Sequence, residues 1–170
     1  MVPIRLEDRF KIMEWRNEQI YHLRQKHPLT VEDQENYFSN VVSQIFDKDQ
    51  PNQILFSLLE NDICIGYGGL VHINWSEKNA EISFIMDTKL EKDSFEKIWL
   101  IYLDLIEQVA FNDLKFSKIY TYAYDLRTNL FKVLETSGFK LDNNLKNIQR
   151  SEKGKVLIHS KQRTQNNLAS

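Results

Sequence analysis

The chain has 170 residues, 42% of them hydrophobic and 27% charged, with a net charge of −2. That is the composition of one globular domain with a substantial core, and it offers no global basic field for nucleic acid or an anionic membrane. Cys64 is the only cysteine, which excludes a disulfide within the chain and argues against a zinc site.

Val2–Leu6 reads as a short strand, and in Glu7–Asn17 the residues Phe10, Ile12, Met13 and Trp15 give a helix one apolar face. Charges in the opening MVPIRLEDRF stand where a signal peptide needs its apolar centre, and no run approaches the roughly 20 apolar residues of a membrane span; the expectation is a cytoplasmic protein. Thr30 is placed to cap a second helix, with Asp33 completing an acidic variant of the capping box. That helix is expected to turn Tyr37, Phe38, Val41, Val42, Ile45 and Phe46 inward. Asp47–Asn52 is a polar loop, and Gln53–Leu59 is a strand turned back by Glu60-Asn61-Asp62.

Two strand-like runs follow, Ile63–Trp75 and Ala80–Met86, on either side of the turn-forming Ser76-Glu77-Lys78-Asn79. Gly66, Gly68 and Gly69 inside the first imply a bulge, or close approach by another backbone or a ligand. The second alternates: Ala80, Ile82, Phe84 and Met86 face one side, Glu81, Ser83 and Ile85 the other. A carboxylate within an apolar strand is the anomaly, because burying it costs free energy unless it is paired or protonated.

A polar connection, Asp87–Lys92, leads to a helix from Ser94 to about Phe111, with Asp93 as its expected N-cap and Glu96 closing a capping box. Strand, loop and helix N-terminus in that order form a phosphate-binding arrangement, since the first turn presents free N–H groups. Lys118–Tyr124 is a strand with Tyr120, Tyr122 and Tyr124 on one face, and Thr128–Thr136 is a helix capped by Gly138. Leu141–Ile148 and Lys155–Ser160, with a turn near Gly154, are expected to close the sheet. Residues 1–160 then form a single domain, and 161–170 a polar tail.

This order of elements, the run Ala80-Glu81-Ile82-Ser83-Phe84, and Met13-Glu14-Trp15-Arg16-Asn17 followed by Arg24 and Leu29-Thr30-Val31-Glu32-Asp33 resemble the GNAT superfamily of acetyl-coenzyme A-dependent N-acyltransferases. The resemblance covers most of residues 3–160. It implies an α/β (α+β) fold with a mixed, mostly antiparallel central sheet of about seven strands and about four helices on its faces. It also implies transfer of an acetyl group from acetyl-CoA to a primary amine by direct attack in a ternary complex. The W-R-N opening resembles the branch that acetylates ribosomal-protein N-termini and nucleotide-linked amino sugars. The implied acceptor is a small amine of the latter kind, or a protein N-terminus.

By the same resemblance the cofactor arm runs along Phe84, Ile85 and Met86, and its pyrophosphate sits over Lys89, Lys92, Asp93, Ser94 and Phe95. Glu81 stands where histone-type members carry their catalytic glutamate. Acyl transfer needs a base because an ammonium has no lone pair, and a buried Glu serves directly or through water. The residues also allow a structural carboxylate paired with a nearby Arg or Lys. Trp15, Arg16, Asn17, Arg24, Gly69 and His72 are the acceptor-site candidates, with His72 as a second candidate base. Arginines there suit an acceptor bearing phosphate or carboxylate; helix capping and surface pairing are the other reading.

The chain departs from the family pattern in two places. No glycine lies between Gly69 and Gly138, so the glycine-rich pyrophosphate run is absent, and Glu91 stands at the family's Arg position. Where the family carries N-x-x-A-x-x-L-Y-E-K-x-G-F, this chain has Arg127 at the Asn position and Leu134 at the position of the Tyr that protonates the leaving thiolate. Arg127 is therefore the candidate for the cofactor arm, and Tyr124, or Tyr122, for the missing acid, unless these tyrosines pack on the sheet. No metal is implied. The expected partner is a small-molecule amine, with neither nucleic acid nor membrane, and a homodimer is a permitted assembly. The rival to an enzyme is a GNAT-fold binding or regulatory module that no longer catalyses.

Overall fold

The computed structural model describes residues 1–142, 150–151 and 153–164. The elements are β1 (Val2–Pro3), α1 (Arg9–Glu18), α2 (Val31–Tyr37), β2 (Ile54–Glu60), β3 (Ile63–Asn74), β4 (Asn79–Met86), α3 (Glu91–Glu107), β5 (Lys118–Tyr124), α4 (Thr128–Thr136), β6 (Lys140–Leu141), β7 (Arg150–Ser151) and β8 (Gly154–Gln162). The sheet runs β1-β2-β3-β4-β5-β8-β6, and β7 also pairs with β8. β4 and β5 are parallel, and the other pairs are antiparallel. This is the expected mixed, mostly antiparallel sheet with helices on both faces.

The alternation of β4 divides the core. Ala80, Ile82, Phe84 and Met86 pack with Trp99, Tyr102 and Ile106 of α3 and Leu130 and Leu134 of α4. Ile85 packs on the other face with Ile12 and Trp15 of α1 and Phe38 and Val42 beyond α2. Phe84 is the hinge of the first cluster, stacked on Tyr102 at 3.9 Å and edge-on to Trp99 at 4.9 Å. Period-two alternation therefore sends Glu81 to the α1–α2 side, where it is not surrounded by aliphatic packing alone.

The Thr30–Asp33 capping box forms as expected: Asp33 N donates to Thr30 Oγ1 at 3.1 Å and Thr30 N to Asp33 Oδ2 at 2.9 Å. α2 then continues through a π-helical turn, Phe38–Val42, into Ser43–Ile45. The wider turn rephases the helix, so Phe38, Val42 and Ile45 face the core while Val41 is 37% and Phe46 60% exposed. The expectation that both of those point inward is corrected. α3 also begins earlier than its sequence suggests. The Asp87 carboxylate accepts from Lys89 N at 2.9 Å and caps a 3-10 turn, Thr88–Leu90, that runs straight into α3. Asp93 and Ser94 consequently lie within the first turn of α3, and no Asp93–Glu96 box forms.

Gly68 and Gly69 of β3 serve close approach, and Gly66 flanks a bulge. A Cβ on Gly69 would lie 1.9 Å from Ile54 O, and one on Gly68 2.1 Å from Ser83 O. The register shifts where Leu58 pairs with Gly66 and Leu59 with Cys64, and again between Val71 and Asn74, where His72 has φ 50°. α4 ends in a Schellman motif: Phe139 N donates to Leu134 O and Gly138 N to Glu135 O, both at 2.9 Å, with Gly138 at φ +84°. β8 runs on to Gln162, and Lys161 Nζ donates to Glu107 Oε2 at 2.6 Å and Ser137 O at 2.7 Å. The expected strand 141–148 lies, beyond Asp142, outside the described residues.

One feature of the sheet positions the site. β4 and β5 pair only from Asn79↔Lys118 to Ile82↔Thr121. Past that point Ser83–Met86 stays with β3, while Tyr122–Tyr124 stays with β8. The two strands separate and leave a wedge between them.

Candidate active site

A cavity of about 380 Å³ fills this wedge, reaching from Trp99 and Thr121 past Glu81 to Arg16 and Tyr37. Glu81 is 7% exposed, and its burial is compensated by a charge. Arg24 Nη2 donates to Glu81 Oε1, Arg24 Nη1 lies 3.0 Å from His72 Nε2, and His72 Nε2 lies 3.9 Å from Glu81 Oε2. A guanidinium only donates, so His72 Nε2 is the bare nitrogen in that contact. The Arg24 guanidinium also sits 4.0 Å over the Tyr122 ring. Burial opposes the charge on Arg24, but the hydrogen bond and charge of Glu81 outweigh it and raise the pKa. Burial likewise raises Tyr120, helped by Glu81 and opposed by Arg24, and raises Tyr122.

The W-R-N segment divides into separate tasks. Trp15 is buried in the α1–α2 core. Arg16 reaches the cavity, its Nε donating to Gln25 Oε1 at 3.2 Å. Asn17 staples the following loop: Nδ2 donates to Leu29 O at 2.9 Å, while Oδ1 accepts from Leu29 N at 2.7 Å and Gln25 Nε2 at 2.9 Å. The same loop is pinned from the sheet edge by Lys153, whose Nζ donates to Ile20 O at 2.7 Å, Leu23 O at 2.6 Å and Gln25 O at 2.7 Å. An ammonium satisfied by converging carbonyls holds a segment whose only regular structure is the 3-10 turn Ile20–His22.

At the α3 end of the cavity, Arg127 Nη2 donates to Glu91 Oε1 at 2.5 Å and Nη1 lies 3.1 Å from His22 Nε2. The guanidinium is 5.0 Å from the Phe95 ring centroid. Burial, the charge of Arg127 and that of Lys153 push the His22 imidazole down to about 3, so it is neutral there. Trp99 and Thr121 are among the residues around the cavity, and their Nε1 and Oγ1 are buried without a hydrogen-bond partner. Such orphaned polar atoms are uncommon in a packed interior and call for a ligand or water.

The cavity thus gathers Glu81, Tyr124, Phe84, Arg127, Arg16, Arg24 and His72 from the expected site residues. Ile85 and Met86 point into the two halves of the core and leave only their backbone along the wedge. Lys89 is exposed on the 3-10 turn, Lys92 and Asp93 are exposed on the first turn of α3, and Ser94 and Phe95 are half-buried beside them; none lines the cavity. Trp15 and Asn17 stand behind it, and Gly69 is packed on the Ile54 backbone. Sequence reasoning did not single out Tyr67, Thr121 or Lys153. Each is an ordinary residue type at its position, and long-range pairing alone brings it to the site. Among the described residues, no group of His, Cys, Asp and Glu side chains is arranged to hold a metal ion, and no helix is long and apolar enough to cross a membrane.

Comparison with known proteins agrees with this fold. The spermidine N-acetyltransferase of Vibrio cholerae, solved in complex with CoA and spermine, superposes with a TM-score of 0.76 at 16% identity, over 95% of this chain and 93% of that one. A dodecameric structure of the same enzyme in an intermediate state gives 0.72 at 17% identity, over 95% and 91%. At such identity the likeness establishes a shared fold. A search of curated proteins by sequence finds no match. The family model described as an acetyltransferase (GNAT) domain matches residues 1–156. The chain belongs to the GNAT acetyltransferase family.

Proposed function

We propose that this protein moves an acetyl group from acetyl-CoA to a primary amine of a small metabolite, such as a nucleotide-linked amino sugar, or of a protein N-terminus. The observation that carries the reading is Glu81, a buried carboxylate facing a cavity at the root of the β4–β5 wedge. The residues present fit the cofactor. Ser83–Met86 offers a strand edge without a β5 partner, Thr121 Oγ1 and Trp99 Nε1 lack hydrogen-bond partners, and Arg127 is a cavity-lining cation for phosphate. When bound, acetyl-CoA supplies an acyl thioester activated toward amines.

The chain's own residues supply the proton chemistry. Glu81 keeps Oε2 free of Arg24 and takes the ammonium proton there, directly or through a water. Arg24 orients that carboxylate and holds Tyr122 against it. Tyr124, only 7% exposed and lining the same cavity, holds a proton at Oη as the general acid that Leu134 cannot be. The loop pinned by Asn17 and Lys153 closes the acceptor side.

A second reading is favoured by one specific pair. Arg127 is already engaged by Glu91, and the glycine-rich run is missing. In that reading the fold is a binding or regulatory module that has given up normal CoA binding. The test of the first is Glu81→Gln, with thiol release from acetyl-CoA followed over pH. The variant stays folded and keeps its cofactor affinity, melts somewhat lower because Arg24 loses its charged partner, loses turnover by about 10²–10⁴-fold, and loses the acidic limb of the profile. Unchanged turnover at neutral pH removes Glu81 from the mechanism.

A further inference from the structure

The acceptor end of the cavity carries surplus positive charge. Glu81 is the only carboxylate lining the cavity among the described residues, and Arg24 neutralises it. Arg127 is neutralised in turn by Glu91. Arg16 has no such partner. Its Nε is held by Gln25, and among the described residues no carboxylate pairs with it and nothing accepts from its terminal nitrogens. Around it the cavity offers neutral groups: Tyr37 and Gln53, which exchange hydrogen bonds at 3.4 and 3.2 Å, and Tyr67. Burial and Tyr67 push the Tyr37 phenol up to about 12 against the pull of Arg16, so it stays a protonated donor.

An unpaired guanidinium beside phenol and amide donors is complementary to a carboxylate or phosphate, which it binds through paired N–H groups. It repels a polycation. In the same cavity, Glu81 Oε2 suits an ammonium. We infer that the acceptor is an amine carrying an anionic group, carboxylate or phosphate, held by Arg16 while its amine lies at Glu81. This rests on the acetyl-transfer reading and narrows it. A nucleotide-linked amino sugar brings its own phosphates, whereas a simple polyamine such as the spermine of the Vibrio cholerae complex brings none.

The test is calorimetric titration, with and without CoA, using 4-aminobutyrate, O-phosphoethanolamine, ethanolamine and spermidine. It is run on the wild type, Arg16→Met and Arg16→Lys, with thiol release from acetyl-CoA measured for the same set. The carboxylate or phosphate amine should bind at least about ten-fold tighter than ethanolamine, and the tighter of the two names the anion. Arg16→Met should abolish that preference, and Arg16→Lys should keep part of it as a point charge. Ethanolamine or spermidine binding as tightly, a preference that survives Arg16→Met, or no binding by either anionic amine overturns the inference. Arg16-dependent binding without thiol release from any amine leaves the anion subsite standing and removes the acetyl-transfer reading. Spermidine turnover indifferent to Arg16→Met does the reverse.

Discussion

Nη2 of Arg127 donates to Oε1 of Glu91 at 2.5 Å, tying the residue before α4 to the first residue of α3 across the wedge. These are two of the positions at which the sequence departs from the GNAT pattern. The cation that resemblance puts on the α3 side is replaced there by a carboxylate, and a cation appears on the α4 side instead. The departures compensate each other, and the site keeps a guanidinium.

Glu91→Gln releases that guanidinium. If Arg127 meets the cofactor's phosphates, acetyl-CoA should bind about ten-fold tighter, a gain of about 1.4 kcal/mol. The melting temperature should fall, since leaving a half-buried charge unpaired costs about 1–3 kcal/mol. An unchanged affinity, read by calorimetry, would show that the phosphates do not reach Arg127.

Thr121→Val addresses the orphaned hydroxyl. The variant has nearly the same shape and removes a buried oxygen that has no partner. The free protein should be stabilised by about 1–2 kcal/mol in urea denaturation, while its affinity for acetyl-CoA drops. Stabilisation without loss of affinity would mean that this hydroxyl meets water and not ligand.

Much of this was legible in advance, for definite reasons. The Thr30 and Gly138 caps are local signals satisfied by neighbours within a few residues, and the β4 alternation is read from consecutive residues even though distant helices satisfy it. Local signals failed where another competed nearby. Asp87 captured the cap expected of Asp93, and the π-helical turn after α2 moved Val41 and Phe46 to the surface. At the site, the residue types of Glu81, Arg24 and Arg16 could be suspected individually. Their pairing could not, because it depends on contacts such as Arg24–Glu81, 57 positions apart, and Lys153–Leu23, 130 positions apart.

His22 makes stability depend on pH. Its folded pKa, about 3, lies below the ordinary value of 6.5. Between those values the unfolded chain binds the extra proton, so stability rises with pH through this window and is lost as pH falls below about 6.5, by up to about 1.4 kcal/mol per pH unit. His22→Gln should flatten the dependence of unfolding free energy over pH 4–6.5, a range set by that shift. A slope identical to the wild type's would show that His22 does not titrate on unfolding.

The acetyl-transfer reading depends on whether the wedge receives acetyl-CoA, and calorimetric titration of the wild-type protein with acetyl-CoA asks this most directly. Saturable one-site binding is predicted, weakening as salt screens the phosphate contacts. It should be accompanied by stabilisation of about 2.7 kcal/mol at a ligand concentration 100-fold above Kd. No heat and no shift in melting temperature at millimolar acetyl-CoA would contradict the account and leave a GNAT-fold module that does not catalyse.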